Sequence, residues 1–173
     1  MNLTNKIIKK YAFSALIIGV LVALLFLGNG GGVASSENTT ASSLGSFSGQ
    51  QEVFDFGTIS MKDGVVSHVF ELQNNGDTPI IIGKVYTSCM CTTATLTDES
   101  GEKYGVFGMP GHGLLSETNV LVVPGETLAV EARFDSAAHG LSGVGLNERS
   151  IYLETNSDTS PKTELRFRAT VMR

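Results

Sequence analysis

Two cysteines separated by a single residue are the most reactive feature of the sequence. Cys89 and Cys91 are its only cysteines, and Met90 lies between them. If the segment 85–92 is extended, both thiols point to the same side of the strand. Two thiolates with nearby thioether and imidazole donors suit Cu(I), whereas structural zinc sites usually take four Cys or His ligands with cysteines two to four residues apart. The pair therefore raises the hypothesis of a copper(I) site.

A glycine-rich segment supplies the other donors. Residues 98–118 include Met109, Pro110 and His112 and show no clear strand or helix pattern. Loops of about 20 residues are uncommon in compact domains and are more often functional than short ones. A solvated insertion is the alternative explanation. The predicted metal ligands are Cys89, Cys91, His112 and Met109, with Met90 as a further thioether donor.

Two other roles for the thiols stay open. They are inert or structural in one, and they exchange with disulfides in the other. A disulfide across one residue is strained and readily reduced, which suits exchange. The βαβ pattern of thioredoxin-like proteins is absent, however. Of the remaining histidines, His68 shares strand parity with Phe70 and is predicted to be structural, and His139 approaches the cysteines only if the fold brings distant strand ends together.

Composition and motifs argue against several functions. Three of the twelve Lys and Arg lie in the first 28 residues, which have no acid, so the rest has nine basic and seventeen acidic residues and a net charge of −8. Nucleic-acid binding needs clustered Lys and Arg, and we expect none here. Signatures of serine hydrolases, zinc peptidases and phosphate-binding loops are missing. We therefore predict a protein that is not an enzyme, apart from the redox role left open for Cys89 and Cys91.

The amino terminus predicts export. Residues 12–27 carry no charge and follow Lys6, Lys9 and Lys10. An apolar run of this length, about 24 Å as a helix, is short for a membrane span and long for a cleavable signal. The basic flank keeps the amino terminus in the cytoplasm, so we expect a single-pass protein of the cell membrane with its domain outside, or a secreted domain if the segment is cleaved.

The rest of the chain divides into a linker and a folded body. Residues 1–28 form the predicted anchor or signal segment, 29–50 a linker rich in Gly, Ser and Thr, and 51–173 the domain. Short apolar runs bounded by turn residues, with clean alternation over 128–134 and 165–171, predict seven or eight strands and no long helix. Because short turns join them, the predicted fold is all-β, an antiparallel sandwich of immunoglobulin-like type.

Four segments resemble a known family. They are FDFGTI (54–59), VVSHVFELQNNGDTPI (65–80), VYTSCMCTTA (85–94) and VPGETLAVEARFD (123–135). Together they resemble the bacterial domain of unknown function 1573, a relative of hydin-like immunoglobulin folds, over about residues 51–173. The family's Ser-Cys-Gly-Cys-Thr signature stands here as Ser88-Cys89-Met90-Cys91-Thr92. The resemblance implies an extracytoplasmic sandwich and brings no catalytic residues.

Two functions are therefore carried forward. One is a membrane-tethered binding or scaffolding module with a partner in the cell envelope. The other is extracytoplasmic Cu(I) binding by the Cys-Met-Cys motif and the loop bearing Met109 and His112, with thiol–disulfide exchange as a third possibility. The distance from the loop to the thiols separates the first two.

Overall fold

Alternating apolar and polar side chains build two stacked sheets. The computed structural model describes residues 42–49 and 53–173, and this part of the chain contains no α-helix. Two short 3-10 turns, Met61–Asp63 and Gly140–Gly143, interrupt the strands. The strands are β1 Phe47–Ser48, β2 Phe54–Ser60, β3 Val65–Asn74, β4 Ile80–Thr87, β5 Thr92–Thr97, β6 Lys103–Phe107, β7 Glu117–Val122, β8 Thr127–Asp135, β9 Gly145–Thr155 and β10 Lys162–Met172.

Each sheet has five strands. The first has the order β1-β3-β8-β5-β6, and the second has the order β2-β10-β9-β4-β7. All neighbouring strands are antiparallel except β2, which lies parallel to β10 at the edge of the second sheet. The second sheet is therefore mixed. The arrangement confirms an all-β sandwich and is consistent with the predicted immunoglobulin-like type.

The core fills the space between the sheets. Inward positions of β10 alternate with exposed ones along its whole length, as its sequence predicted. Leu72, Leu96 and Val130 face inward from the first sheet, and Leu153 and Phe167 face inward from the second. Burial of these side chains is the main favourable contribution to folding.

The folded body begins before the predicted boundary at residue 51. Ser48 pairs with Gln73 in β3, and the side chain of Phe47 is buried in the core. Residues 42–49, assigned above to the linker, therefore pack on the sandwich, because burial of the Phe47 ring holds this stretch against β3. The predicted anchor at 12–27 lies outside the described residues. Within the described ranges, no helix is long and apolar enough to cross a membrane.

The predicted long loop contains a strand. β6 pairs with β5, and only residues 108–116 remain as a connection to β7. Gly105 interrupts the residue pattern that would have predicted this strand. It adopts φ 64°, and a Cβ at this position would lie 2.5 Å from the Phe107 ring, so glycine lets that ring fold back over the backbone.

Candidate functional site

The two cysteines lie on a turn that passes from one sheet to the other. β4 belongs to the second sheet and β5 to the first, and residues 88–91 connect them. The Thr92 N–H donates to the Cys89 carbonyl at 3.1 Å, which closes the turn. The Thr87 hydroxyl lies 3.0 Å from that carbonyl and 3.0 Å from the Thr92 carbonyl. The thiols are therefore brought together by a tight turn and not by the extended strand that the sequence suggested.

His139 joins the cysteines from a distant part of the chain. β5 pairs with β8, and Thr92 lies opposite Phe134, so the segment that follows β8 runs beside the turn. The His139 Nε2 atom is 3.0 Å from the Cys89 Sγ atom. The two sulfur atoms and a ring nitrogen of His139 all lie within 4.8 Å of one another. This spacing would let one metal ion contact all three donors.

Arg149 contacts the buried thiol from the start of β9. Its Nε–H donates to the Cys91 Sγ atom at 3.1 Å. Its other nitrogens donate to the Glu148 carbonyl at 2.7 Å and to the Asn147 side chain at 2.6 Å. The guanidinium also lies 5.9 Å from the centre of the Phe134 ring. A fixed positive charge is thus held beside the thiol pair.

The environment treats the two thiols differently. Burial raises the pKa of Cys89, but hydrogen bonds from the Cys91 thiol and backbone N–H, the His139 ring and the charge of Arg149 together lower this pKa to about 7. Burial raises the pKa of Cys91, and its hydrogen bond to Cys89 raises it further, against the opposing effect of Arg149. At neutral pH the pair therefore favours a thiolate at Cys89 that accepts a hydrogen bond from the protonated Cys91 thiol.

We expect the alkylation rate of Cys89 to follow its lowered pKa. The thiolate is the nucleophile, so the iodoacetamide rate of the metal-free protein should rise with pH and level off above about 7. Peptide mapping assigns the reaction to Cys89 or Cys91. In urea the midpoint should move up to that of an ordinary thiol, because unfolding removes His139 and Arg149. Equal midpoints in the folded and unfolded chains would contradict the assigned environment.

An open cavity gives solvent access to Cys89. Its volume is about 430 Å³, and Cys89, His139, Asn147 and Arg149 are among the residues that line it. Cys91 lies below, and only 3 % of its surface is exposed. Both cysteines are free thiols. The pair thus has one member that a solute can reach and one that it cannot.

His112, the histidine predicted from the loop, does not join this group. Among the described His, Cys, Asp and Glu side chains, the cluster around the thiols contains His139 and not His112, which is exposed. The His112 N–H donates to the Met109 carbonyl at 3.2 Å, so these two residues form a turn within the loop. Met90 extends from the tip of the Cys turn and is exposed. Among the described His, Cys, Asp and Glu side chains, the donors brought together are therefore Cys89, Cys91 and His139.

One sequence signal pointed to Arg149. Asn147, Arg149, Ile151 and Leu153 share the inward parity of β9, and a cation on a dry strand face marks a special position. His139 has no such local signal. Its approach depends on the register between β5 and β8, which sequence spacing does not reveal.

His68 is structural in its contacts, as predicted. Its ring stacks on Phe54 with a centroid distance of 3.5 Å and meets the edge of Phe70 at 4.7 Å. Burial lowers its pKa, so the neutral ring is favoured. It lies among aromatic neighbours on β2 and β3 and belongs to a different cluster from the thiols.

A solved structure supports the fold. A protein of unknown function from Porphyromonas gingivalis W83 aligns with a TM-score of 0.52 at 17 % identity, over 77 % of this chain and 51 % of that chain. The present chain thus spans about half of that structure's length. The Vibrio cholerae VesB protease aligns with a TM-score of 0.45 at 16 % identity, over 75 % and 32 % of the two chains. No curated protein matches the sequence.

The sequence also matches a family profile. The family is described as "Protein of unknown function (DUF1573)", and the match covers the Cys turn and the strands on either side of it. The motif at 123–135 lies beyond the matched residues. Residues 47–105 are thus similar to the DUF1573 family, and the resemblance inferred from the motifs is confirmed over that stretch.

Proposed function

We propose that this sandwich is an extracytoplasmic module that binds Cu(I) through Cys89, Cys91 and His139. One observation carries the proposal: the two sulfur atoms of the Cys turn and an imidazole nitrogen of His139 lie within 4.8 Å of one another. Soft thiolates with one imidazole suit a monovalent soft cation, and three protein donors are one fewer than a structural zinc site takes.

Charge favours the same ion. Cu(I) with two thiolates and a neutral imidazole carries a net charge of −1, and the Arg149 guanidinium hydrogen-bonded to Cys91 balances it. Zn(II) with the same donors is already neutral, so the nearby cation would be uncompensated. The site is therefore matched to a monovalent ion by its surroundings as well as by its donors.

The position of the domain completes the proposal. The apolar segment 12–27 would hold the chain in the cell membrane with the domain outside, where it would store Cu(I) or transfer it to an envelope partner. The predicted linker before the sandwich would let the domain extend away from the membrane surface. Protease treatment of intact cells is the check: a tag at Arg173 that stays protected would contradict this orientation.

A matched set of variants tests the ligands. The full chain, purified in detergent under reducing conditions, should bind one Cu(I) in competition with a colorimetric chelator. We expect Cys89→Ser and Cys91→Ser to weaken binding by about 100-fold or more, and His139→Ala by about 10-fold, since each change removes a donor that touches the ion. His112→Ala and Met109→Leu are the controls and should leave the affinity unchanged.

Two results would overturn the ligand assignment. Absence of copper from the wild-type chain and from Cys89→Ser alike would remove the metal function. If His112→Ala weakens copper binding and His139→Ala does not, the third ligand is His112 of the loop and not His139.

A second candidate function is the binding or scaffolding module, and the edge of β3 favours it. β1 pairs only with Asn74 and Gln73, so no described strand pairs with the outer edge of β3 from Val65 to Phe70. Val69 on this strand is 48 % exposed. Open strand edges accept an added strand from another chain. A partner recovered from solubilised membranes should be lost by Val69→Lys, and equal recovery with the wild type would exclude this edge.

A further inference from the structure

The thiol pair is asymmetric in a way that metal binding does not require. Cys89 lines the open cavity, whereas Cys91 is 3 % exposed beneath it. His139 contacts the half-buried Cys89 thiol through Nε2 at 3.0 Å, and Arg149 contacts the buried Cys91 thiol through Nε at 3.1 Å. An accessible thiol beside a base, with a second thiol buried within reach, is the arrangement of a dithiol that reacts in a fixed order.

We propose that the metal-free pair exchanges with small disulfides, with Cys89 as the attacking thiol and Cys91 as the resolving thiol. The activity requires no copper, so it goes beyond the function proposed above and can be tested independently of copper binding. Its substrate class is a linear disulfide of low molecular mass that enters the cavity over Cys89.

The first step forms a mixed disulfide. Cys89 loses its proton to solvent and reacts as the thiolate, whose sulfur attacks one sulfur of the small disulfide. A bond forms between these two sulfurs, and the original sulfur–sulfur bond breaks. The departing thiolate takes up a proton from solvent and leaves as a thiol. Only Cys89 has solvent access for this attack.

The second step closes the protein disulfide. Cys91 lies within 4.8 Å of the modified sulfur and attacks Cys89, which releases the second small thiolate. The proton lost by Cys91 is taken up by that thiolate. In total the two protein thiols are oxidised to one disulfide, and the small disulfide is reduced to two thiols. Because the new bridge spans one residue, it is strained and readily reduced, so the exchange runs in both directions.

Oxidised glutathione is a suitable probe. The reduced full chain in detergent, freed of metal with a chelator, is mixed with it, quenched with acid and analysed by mass spectrometry. The wild type should pass through a mixed disulfide to an internal disulfide and release two molecules of glutathione. Cys91→Ser should stop at the mixed disulfide on Cys89. Cys89→Ser should react more slowly than the wild type by a factor of about ten or more, because its remaining thiol is buried.

Unfolded protein provides the matched control. In urea the two single-cysteine variants should react at similar rates, which would show that the fold causes the difference. Peptide mapping of the wild type at the earliest quench gives a second measurement that does not depend on either variant folding. First modification at Cys91, equal rates in the folded variants, or a wild type that stays glutathionylated would overturn the proposal. Copper binding measured on the same samples reports separately on the metal site.

Discussion

Replacement of Phe167 by alanine is expected to lower the free energy of unfolding by about 3–5 kcal/mol. Phe167 is 1 % exposed on β10 and packs between the sheets. Its ring centre lies 5.5 Å from that of Phe56 and 5.6 Å from that of Phe134, so one side chain joins β2, β8 and β10. Alanine would leave a cavity, because the close-packed strands on both sides cannot move in to fill it.

Urea denaturation followed by circular dichroism measures this change. Met172→Ala is the control on the same strand. That side chain is 53 % exposed, and its loss should alter the free energy of unfolding by less than about 0.5 kcal/mol. An effect of Phe167→Ala below about 1 kcal/mol would mean that the sheets collapse onto the vacated space.

Replacement of Arg149 by methionine should reduce the preference of the site for Cu(I) over Zn(II) by about 10- to 100-fold. A unit charge about 4 Å from another contributes about 4 kcal/mol at the effective dielectric constant of a protein surface, and part of this is offset by solvent. Methionine removes the charge and fills similar space, so the anionic Cu(I) complex loses its counter-ion, whereas the neutral Zn(II) complex has no net charge to be balanced.

Parallel competition titrations with the two metals give the ratio. Arg149→Lys keeps the charge but not the planar fork that also contacts Glu148 and Asn147, so its metal preference should lie between those of the wild type and the methionine variant. If Arg149→Met changes the affinities for Cu(I) and Zn(II) by the same factor, the guanidinium affects only the shape of the Cys turn and not the choice of metal.

The alternation of side chains predicted most of the sandwich. Eight predicted strands correspond to β2–β5 and β7–β10, because burial on one face imposes a period of two on each. The two that were missed have local causes. Phe47 stands alone among polar residues in β1, and Gly105 breaks the pattern of β6 with a conformation that only glycine adopts readily.

The site was less predictable than the strands. The Cys-x-Cys spacing predicted that the two thiols lie together, since two thiols so near in sequence stay near in any fold. The third donor was predicted from the long glycine-rich segment, which favoured His112. The register of β5 against β8 brings His139 instead, across a separation of 50 residues from Cys89. Such non-local pairing is set by the whole sheet and leaves no short motif.

The parallel pairing of β2 with β10 has a mechanical consequence. Thr58 to Ser60 lie opposite Thr170 to Met172, and the Arg168–Asp55 ion pair at 2.9 Å crosses the same two strands. Tension applied between the amino-terminal end of β2 and the carboxyl-terminal end of β10 pulls these strands lengthwise in opposite directions. Their hydrogen bonds then bear the load together and do not open one at a time. A sandwich stretched between those two ends would resist extension at this edge, while the Cys turn on β4 and β5 stays outside the loaded pair.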